Sequence, residues 1–279
     1  MVIAGIAYKE LSPETKHAVG TLLKSHPDYQ KWTNSFAGDS AGMDLDTYVF
    51  MRASTWPDEI RRKHNDYDHP QWHYIDYPLR PKKFKMEEPS THDDDVLFGL
   101  AQSEKVLADK DASAESRAAH LSWLLHLVGD IHQPLHCASY FSAEFPKGDK
   151  GGNSFYVKPA KKGIKLHSLW DGLLGTRNHP QTQLNDAIRI RASHPRTEFA
   201  QLTDGKETAD AQKFKEWSLE GRTLAIEKAY LKGKLKSSAK GDPGGTLPKD
   251  YTKDAKVVAE NQAALAGYRL ADEIERLCK

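Results

Sequence analysis

Histidine and aspartate stand four residues apart twice in this sequence, as His126 with Asp130 and as His167 with Asp171. On a helix that spacing puts both side chains on one face, a turn apart. His136 follows the first pair just beyond Pro134, and two upstream segments carry the same residue types, Trp56-Pro57-Asp58 and Trp72-His73-Tyr74-Ile75-Asp76. Imidazole with carboxylate is a donor set that zinc accepts readily, whereas magnesium prefers oxygen alone. A single such pair is more often a histidine held by a carboxylate. Here the first pair lies in an apolar stretch, where an unpaired aspartate is costly, and a second pair and His136 accompany it. The spacing leaves open both a metal centre and the plainer reading of surface pairs or histidines held by carboxylates.

The elements that must carry these residues read as helices. The run from Ala118 to Ile131 is apolar on almost every face, which predicts a central helix starting near Asp111 or Ser113 and ended or kinked by Pro134. Ser12-Pro13-Glu14 is a helix start, with Val19, Leu22 and Leu23 as its buried stripe. Tyr29, Trp32, Phe36, Tyr48 and Phe50 read as core aromatics. Residues 77–95, with Pro78, Pro81 and Pro89, predict a solvated loop, and the Gly- and Lys-rich residues 144–163 a loop or hairpin at the site. A short helix is expected from Ser168 or Asp171, and a connector over residues 232–250. Val258, Leu265, Tyr268, Ala271 and Ile274 recur at helical spacing in a closing helix. Strand signals are few, and neither a repeat nor a linker divides the chain. The expectation is one all-α domain over residues 1–279.

Composition narrows the function classes. The 279 residues are 38% hydrophobic and 28% charged, which suits a chain with a real core. No apolar run approaches the ~18 residues of a membrane span. A formal net charge of +1 lacks the basic excess of a protein that wraps duplex DNA, although a metal centre is itself a concentrated charge for a phosphate. Two distant cysteines, Cys137 and Cys278, exclude a disulfide scaffold and a zinc finger, leaving one optional bridge or two free thiols. The N-terminal residues have no basic segment and no cleavage site, and they read as an uncapped helix that has lost its beginning.

The run His126-Leu-Val-Gly-Asp130-Ile-His-Gln-Pro-Leu-His136 resembles the signature of the S1/P1 family of zinc-dependent nucleases. The likeness extends to Ala53-Ser-Thr-Trp-Pro-Asp58-Glu-Ile-Arg61, to the segment from Trp72 to Asp76, to Gly148-Asp-Lys-Gly-Gly-Asn153 and to Leu166-His167-Ser-Leu-Trp-Asp171. Ala7 to Pro13 also resembles the family's first helix. The resemblance implies the helical zinc phospholipase C-like fold and hydrolysis of phosphodiester bonds in single-stranded DNA and RNA to 5′-phosphorylated products, with 3′-nucleotidase activity alongside.

By the same resemblance, Asp58, His73, His126 and Asp130 are implied as ligands of one zinc, and His136, His167 and Asp171 as ligands of a second. Asp130 resembles a carboxylate that bridges to a third. Arg61 matches an arginine near the scissile phosphate, Tyr74 and Asp76 match the aromatic and acid that hold a nucleobase, and Asn153 falls in a loop near substrate. His132 reads as a bystander. Pro57 stands where the family often has a small residue. Elementary chemistry agrees with these roles: the guanidinium fork suits phosphate oxygens, and an open tyrosine ring stacks an unpaired base.

The family's chain opens with a tryptophan whose amine and carbonyl bind the third zinc, and a histidine ligand follows five residues on. Aligned on Ser12-Pro13, that histidine falls just before Met1. The resemblance thus implies two supported zinc sites and an incomplete third, with Met1 an internal start and the natural protein exported. A true short form is the alternative. Single-stranded nucleic acid or nucleotides are the expected partners, with no membrane and no obligate protein partner. The competing functions are a zinc phospholipase C, opposed by Tyr74 with Asp76 and the lack of an amphipathic membrane face, and a zinc-binding protein without catalysis.

Overall fold

Capping residues written in the sequence set several of the helix starts, at Ser12, Asp44, Asp95 and Ser113. The computed structural model describes residues 1–39, 42–63, 66–81, 84, 93–159, 162–175, 179–202, 210–237 and 244–278. Its α-helices are α1 (Val2–Glu10), α2 (Pro13–Leu23), α3 (Tyr29–Asp39), α4 (Leu45–Ala53), α5 (Trp56–Ile60), α6 (Val96–Ala108), α7 (Ala114–Ile131), α8 (Leu166–Asp171), α9 (Pro180–Ser193), α10 (Asp210–Leu224) and α11 (Tyr251–Leu277). The Ser12 and Ser113 hydroxyls accept the backbone N–H of Thr15 and Ser116 (3.2 and 3.1 Å), and Asp44 accepts that of Thr47 (2.8 Å). Each satisfies an N–H that a helix start leaves without an intrahelical partner.

Helix α7 is the central element. Every residue from Ala118 to Leu125 is buried, as are Leu127, Val128 and Ile131. It packs against α2, α4, α5, α6, α10 and α11. The only partly covered positions in its last six residues are His126, Gly129 and Asp130, which open toward the site. Trp32, Tyr48 and Phe50 are fully buried, and Tyr29 and Phe36 lie at the margin of the same core. A second apolar cluster, with Leu135, Tyr140, Phe155, Trp170 and Tyr230, backs the Gly-rich loop.

The chain is helical as expected, with short strands that the sequence does not announce. Pro78–Leu79 pairs in parallel with Ser139–Tyr140, so the expected solvated loop begins as a strand. Tyr156–Lys158 pairs antiparallel with Ile164–Lys165 and parallel with Gly245–Thr246, which ties down the end of the expected connector. Pro89 and residues 238–243 lie outside the described residues. Gly244 makes that pairing possible: φ is +92°, and a Cβ would lie 2.6 Å from the carbonyl carbon of Val157. Helix α8 starts at Leu166, two residues before Ser168, and α11 starts at Tyr251. Pro134 opens a 3-10 turn, Pro134–Cys137, after α7 has ended. Cys137 and Cys278 are both buried and free. Among the described residues, no helix is long and apolar enough to cross a membrane.

Candidate active site

Seven side chains that lie far apart in sequence meet at one end of α7. Asp58 stands on the five-residue α5, whose neighbouring Glu59 is gripped by Arg52 (2.6 Å) and Lys31 (2.8 Å). Helix α7 brings His126 and Asp130, the 3-10 turn brings His136, and α8 brings His167 and Asp171. His73 enters from a turn whose outgoing strand is tied to that 3-10 turn, since the Ile75 N–H donates to the His136 carbonyl (2.8 Å).

Two groups result. Asp58, His73 and His126 each present a ligand-type atom within 4.8 Å of the others, and so do His136, His167 and Asp171. In the first group His126 Nε2 lies 2.9 Å from His73 Nδ1 and 3.1 Å from Asp130 Oδ2, while Asp130 Oδ2 is 3.0 Å from His73 Nδ1. Asp58 stands 3.9 Å from each histidine. In the second group His136 and His167 stack with ring centroids 4.9 Å apart, and His167 Nε2 is 3.5 Å from Asp171 Oδ2. Asp130 joins the two, its other oxygen 3.5 Å from His136.

Backbone carbonyls select the ring nitrogens. The Nδ1–H of His126 donates to Ser54 O (2.9 Å), that of His136 to His73 O (2.6 Å) and that of His167 to Gly151 O (2.7 Å). A carbonyl has no proton to give, so Nδ1 must carry it and Nε2 is left as the free donor atom. His73 is turned the other way, with Nδ1 toward the cluster and its buried Nε2 without a partner among the described residues.

The electrostatics call for a cation. Burial opposes a charge on His126, yet Asp130, with help from Asp58 and the Ser54 carbonyl, pushes it up to about 9. Burial likewise opposes the Asp130 charge, but His126 and His136 hold the carboxyl well below its usual range. His167 is lowered by burial and by the neighbouring His136. Two imidazole nitrogens 2.9 Å apart over a shared carboxylate need either a proton or a metal ion between them, and N/O donors of this type suit zinc. The residues present therefore fit the metal.

The expected substrate residues border this end of the molecule. Arg61 closes α5 with its Nη1 3.7 Å from Asp58 Oδ1 and is 41% exposed. Tyr74, 37% exposed, follows His73, and Asp76 two residues on is exposed as well. The Tyr74 hydroxyl is raised by burial and by Asp76, with Arg61 pulling the other way. Asn153 sits on the Gly-rich turn, where its Nδ2 donates to Lys150 O (3.0 Å). His132 faces away: its Nδ1–H donates to Val128 O and its Nε2 accepts from Arg269 (2.9 Å).

Two further residues anchor the site. Buried Asp149 accepts the Tyr140 N–H (2.8 Å) and the Tyr230 hydroxyl (2.7 Å), pinning the turn that offers Gly151 O to His167. Gln133 donates to Asp171 Oδ1 (2.9 Å). Both residues lie inside the quoted motifs, but the partners that give them their roles come from other elements of the fold.

A helical scaffold presents the two His and Asp clusters beside an exposed arginine, and the family and relatives that the chain matches make it a hydrolase acting on phosphodiester bonds. The chain belongs to the S1/P1 nuclease family, whose model matches residues 1–279. It is 24% identical to Endonuclease 4 of Arabidopsis thaliana, over 99% of this chain and 86% of that protein. It is 24% identical to Nuclease PA3 of a Penicillium species over 94% of this chain and 96% of that one. Nuclease P1 of Penicillium citrinum is 26% identical, over 70% and 68% of the two chains.

Proposed function

We propose that this nuclease cleaves single-stranded DNA and RNA through zinc, leaving 5′-phosphorylated products and also removing 3′-phosphates from nucleotides. The observation that carries the reading is the convergence of seven His and Asp side chains next to Tyr74 and Arg61. Asp58, His73, His126 and Asp130 would hold one zinc, and His136, His167 and Asp171 another. When bound, zinc supplies the Lewis acidity that brings a water's pKa to about 7 and clamps attacking and leaving oxygens. The carbonyls of Ser54, His73 and Gly151 hold the rings of His126, His136 and His167 in the tautomer that offers Nε2.

Arg61 neutralises the phosphate oxygens as negative charge gathers on them. Tyr74 stacks the base beside the cleaved bond and Asp76 accepts from its edge. A base inside a duplex offers neither its face nor that edge, so single-strand preference follows. Export belongs to the same reading. Activity on denatured DNA, duplex DNA and a phospholipid diester, measured with zinc content, tests the reading. Cleavage of denatured DNA at a rate well above duplex is expected. Lipid turnover alone would establish a phospholipase instead, and zinc with neither activity a binding protein.

A further inference from the structure

We propose that Gln133 is a positioning residue that binds the two halves of the second cluster to one another. The inference rests on the reading of His136, His167 and Asp171 as zinc-binding. Gln133 stands between α7 and the 3-10 turn, and its Oε1 accepts the Leu135 N–H at 2.6 Å, capping the turn that carries His136. Its Nε2 donates to Asp171 Oδ1 at 2.9 Å. The two bonds fix the amide's orientation, because a backbone N–H needs the oxygen and a carboxylate needs the NH2. One side chain thus spans residues from two separate elements.

Asp171 needs such a restraint. Its carboxylate is 49% exposed at the end of the six-residue α8, beyond the reach of the core that immobilises Asp130. With Oδ1 occupied by Gln133, Oδ2 is the oxygen left facing His167. Hydrogen-bond partners that orient ligands in this way typically contribute about 10–100-fold in metal affinity. Gln133 would therefore act on metal retention, through Asp171, without touching substrate.

The experiment is zinc release from the holoenzyme to excess chelator, for the wild type, Gln133→Met, Asp171→Ala and the double variant. The phase accelerated by Asp171→Ala marks the second cluster. Gln133→Met should accelerate that phase about tenfold and leave the other phase alone. The double variant should release zinc no faster than Asp171→Ala, because the two act as a unit. A merely structural role for Gln133 gives multiplying effects, or acceleration of both phases, and overturns the proposal, as does wild-type release from Gln133→Met. If Gln133→Met does not fold, Gln133→Glu keeps the acceptor for Leu135 N–H, removes the donor, and enters the same comparison. A wild type that purifies without zinc, even after zinc is added, overturns the metal reading underneath.

Discussion

His136 reaches from one cluster into the backbone of the other, its Nδ1–H donating to the carbonyl of His73 at 2.6 Å. Two elements 63 residues apart in sequence are joined there, and the Ile75 N–H bond to His136 O closes the link. His136→Ala should therefore empty the second cluster and also loosen the first, with zinc leaving the first about tenfold faster. His167→Ala, whose Nδ1 partner is Gly151, should spare the first cluster. Zinc stoichiometry and release rates of the two variants check this, and equal behaviour would remove the coupling.

Arg61→Lys keeps the charge and loses the planar fork. A hydrogen bond to a charged group is worth about 1.5–3 kcal/mol, so turnover on single-stranded DNA should fall about tenfold or more, with zinc content unchanged. Turnover equal to wild type takes Arg61 out of phosphate binding.

Tyr74→Ala should raise KM for denatured DNA, because stacking a base contributes about 1–3 kcal/mol. Tyr74→Phe should keep most of the affinity, since the ring is the working part. Both variants should retain zinc, the ring being exposed and outside the two clusters. A Phe variant as weak as the Ala variant would shift the role to the hydroxyl.

Metal-stripped protein should lose stability in acid. Burial lowers His26 to about 3 and His120 to about 4, against 6.5 for an unperturbed histidine. The unfolded chain takes up protons below pH 6.5 that the folded chain refuses. Their stabilisation is thus complete above that pH and declines as pH falls toward 4. Tm in chelator should drop by several degrees between pH 7 and 4.5, and His26→Gln should flatten part of that slope. A slope unaffected by the substitution assigns the acid sensitivity to other groups.

Gly151→Ala should disable the second cluster specifically. Its φ is +60°, and a Cβ would sit 2.4 Å from Leu135 O, so the turn must move and take with it the carbonyl that holds His167. Zinc content near half of wild type is the expected result, and full zinc occupancy counts against it.

Much of the site was legible because its chemistry is carried by side chains in short runs. The Ser113 cap and the apolar run to Ile131 define α7 and hence the facing of His126 and Asp130. The start of α8 at Leu166, ahead of the expected Ser168 or Asp171, is hidden in the sequence because Lys165 offers no capping side chain and the helix follows a two-residue strand directly. Strands of two or three residues are too short to display alternation, which is why Pro78–Leu79 and Gly245–Thr246 went unseen. The carbonyls of Ser54, His73 and Gly151 leave no trace in a sequence, since every residue has one. Gln133 and Asp149 were in plain view, but their work depends on neighbours that only the fold supplies.

Orienting three histidines through main-chain oxygen rather than side chains separates two kinds of genetic change. Replacing Ser54 by alanine leaves its carbonyl in place, so the ring of His126 stays where it is. Adding or removing one residue between Ser54 and Asp58 shifts a carbonyl out of register and turns a ring. Drift by substitution is thus mild around these histidines and drift by insertion is not. A chain can then fall to 24% identity with a plant relative through side-chain changes that leave main-chain oxygens untouched.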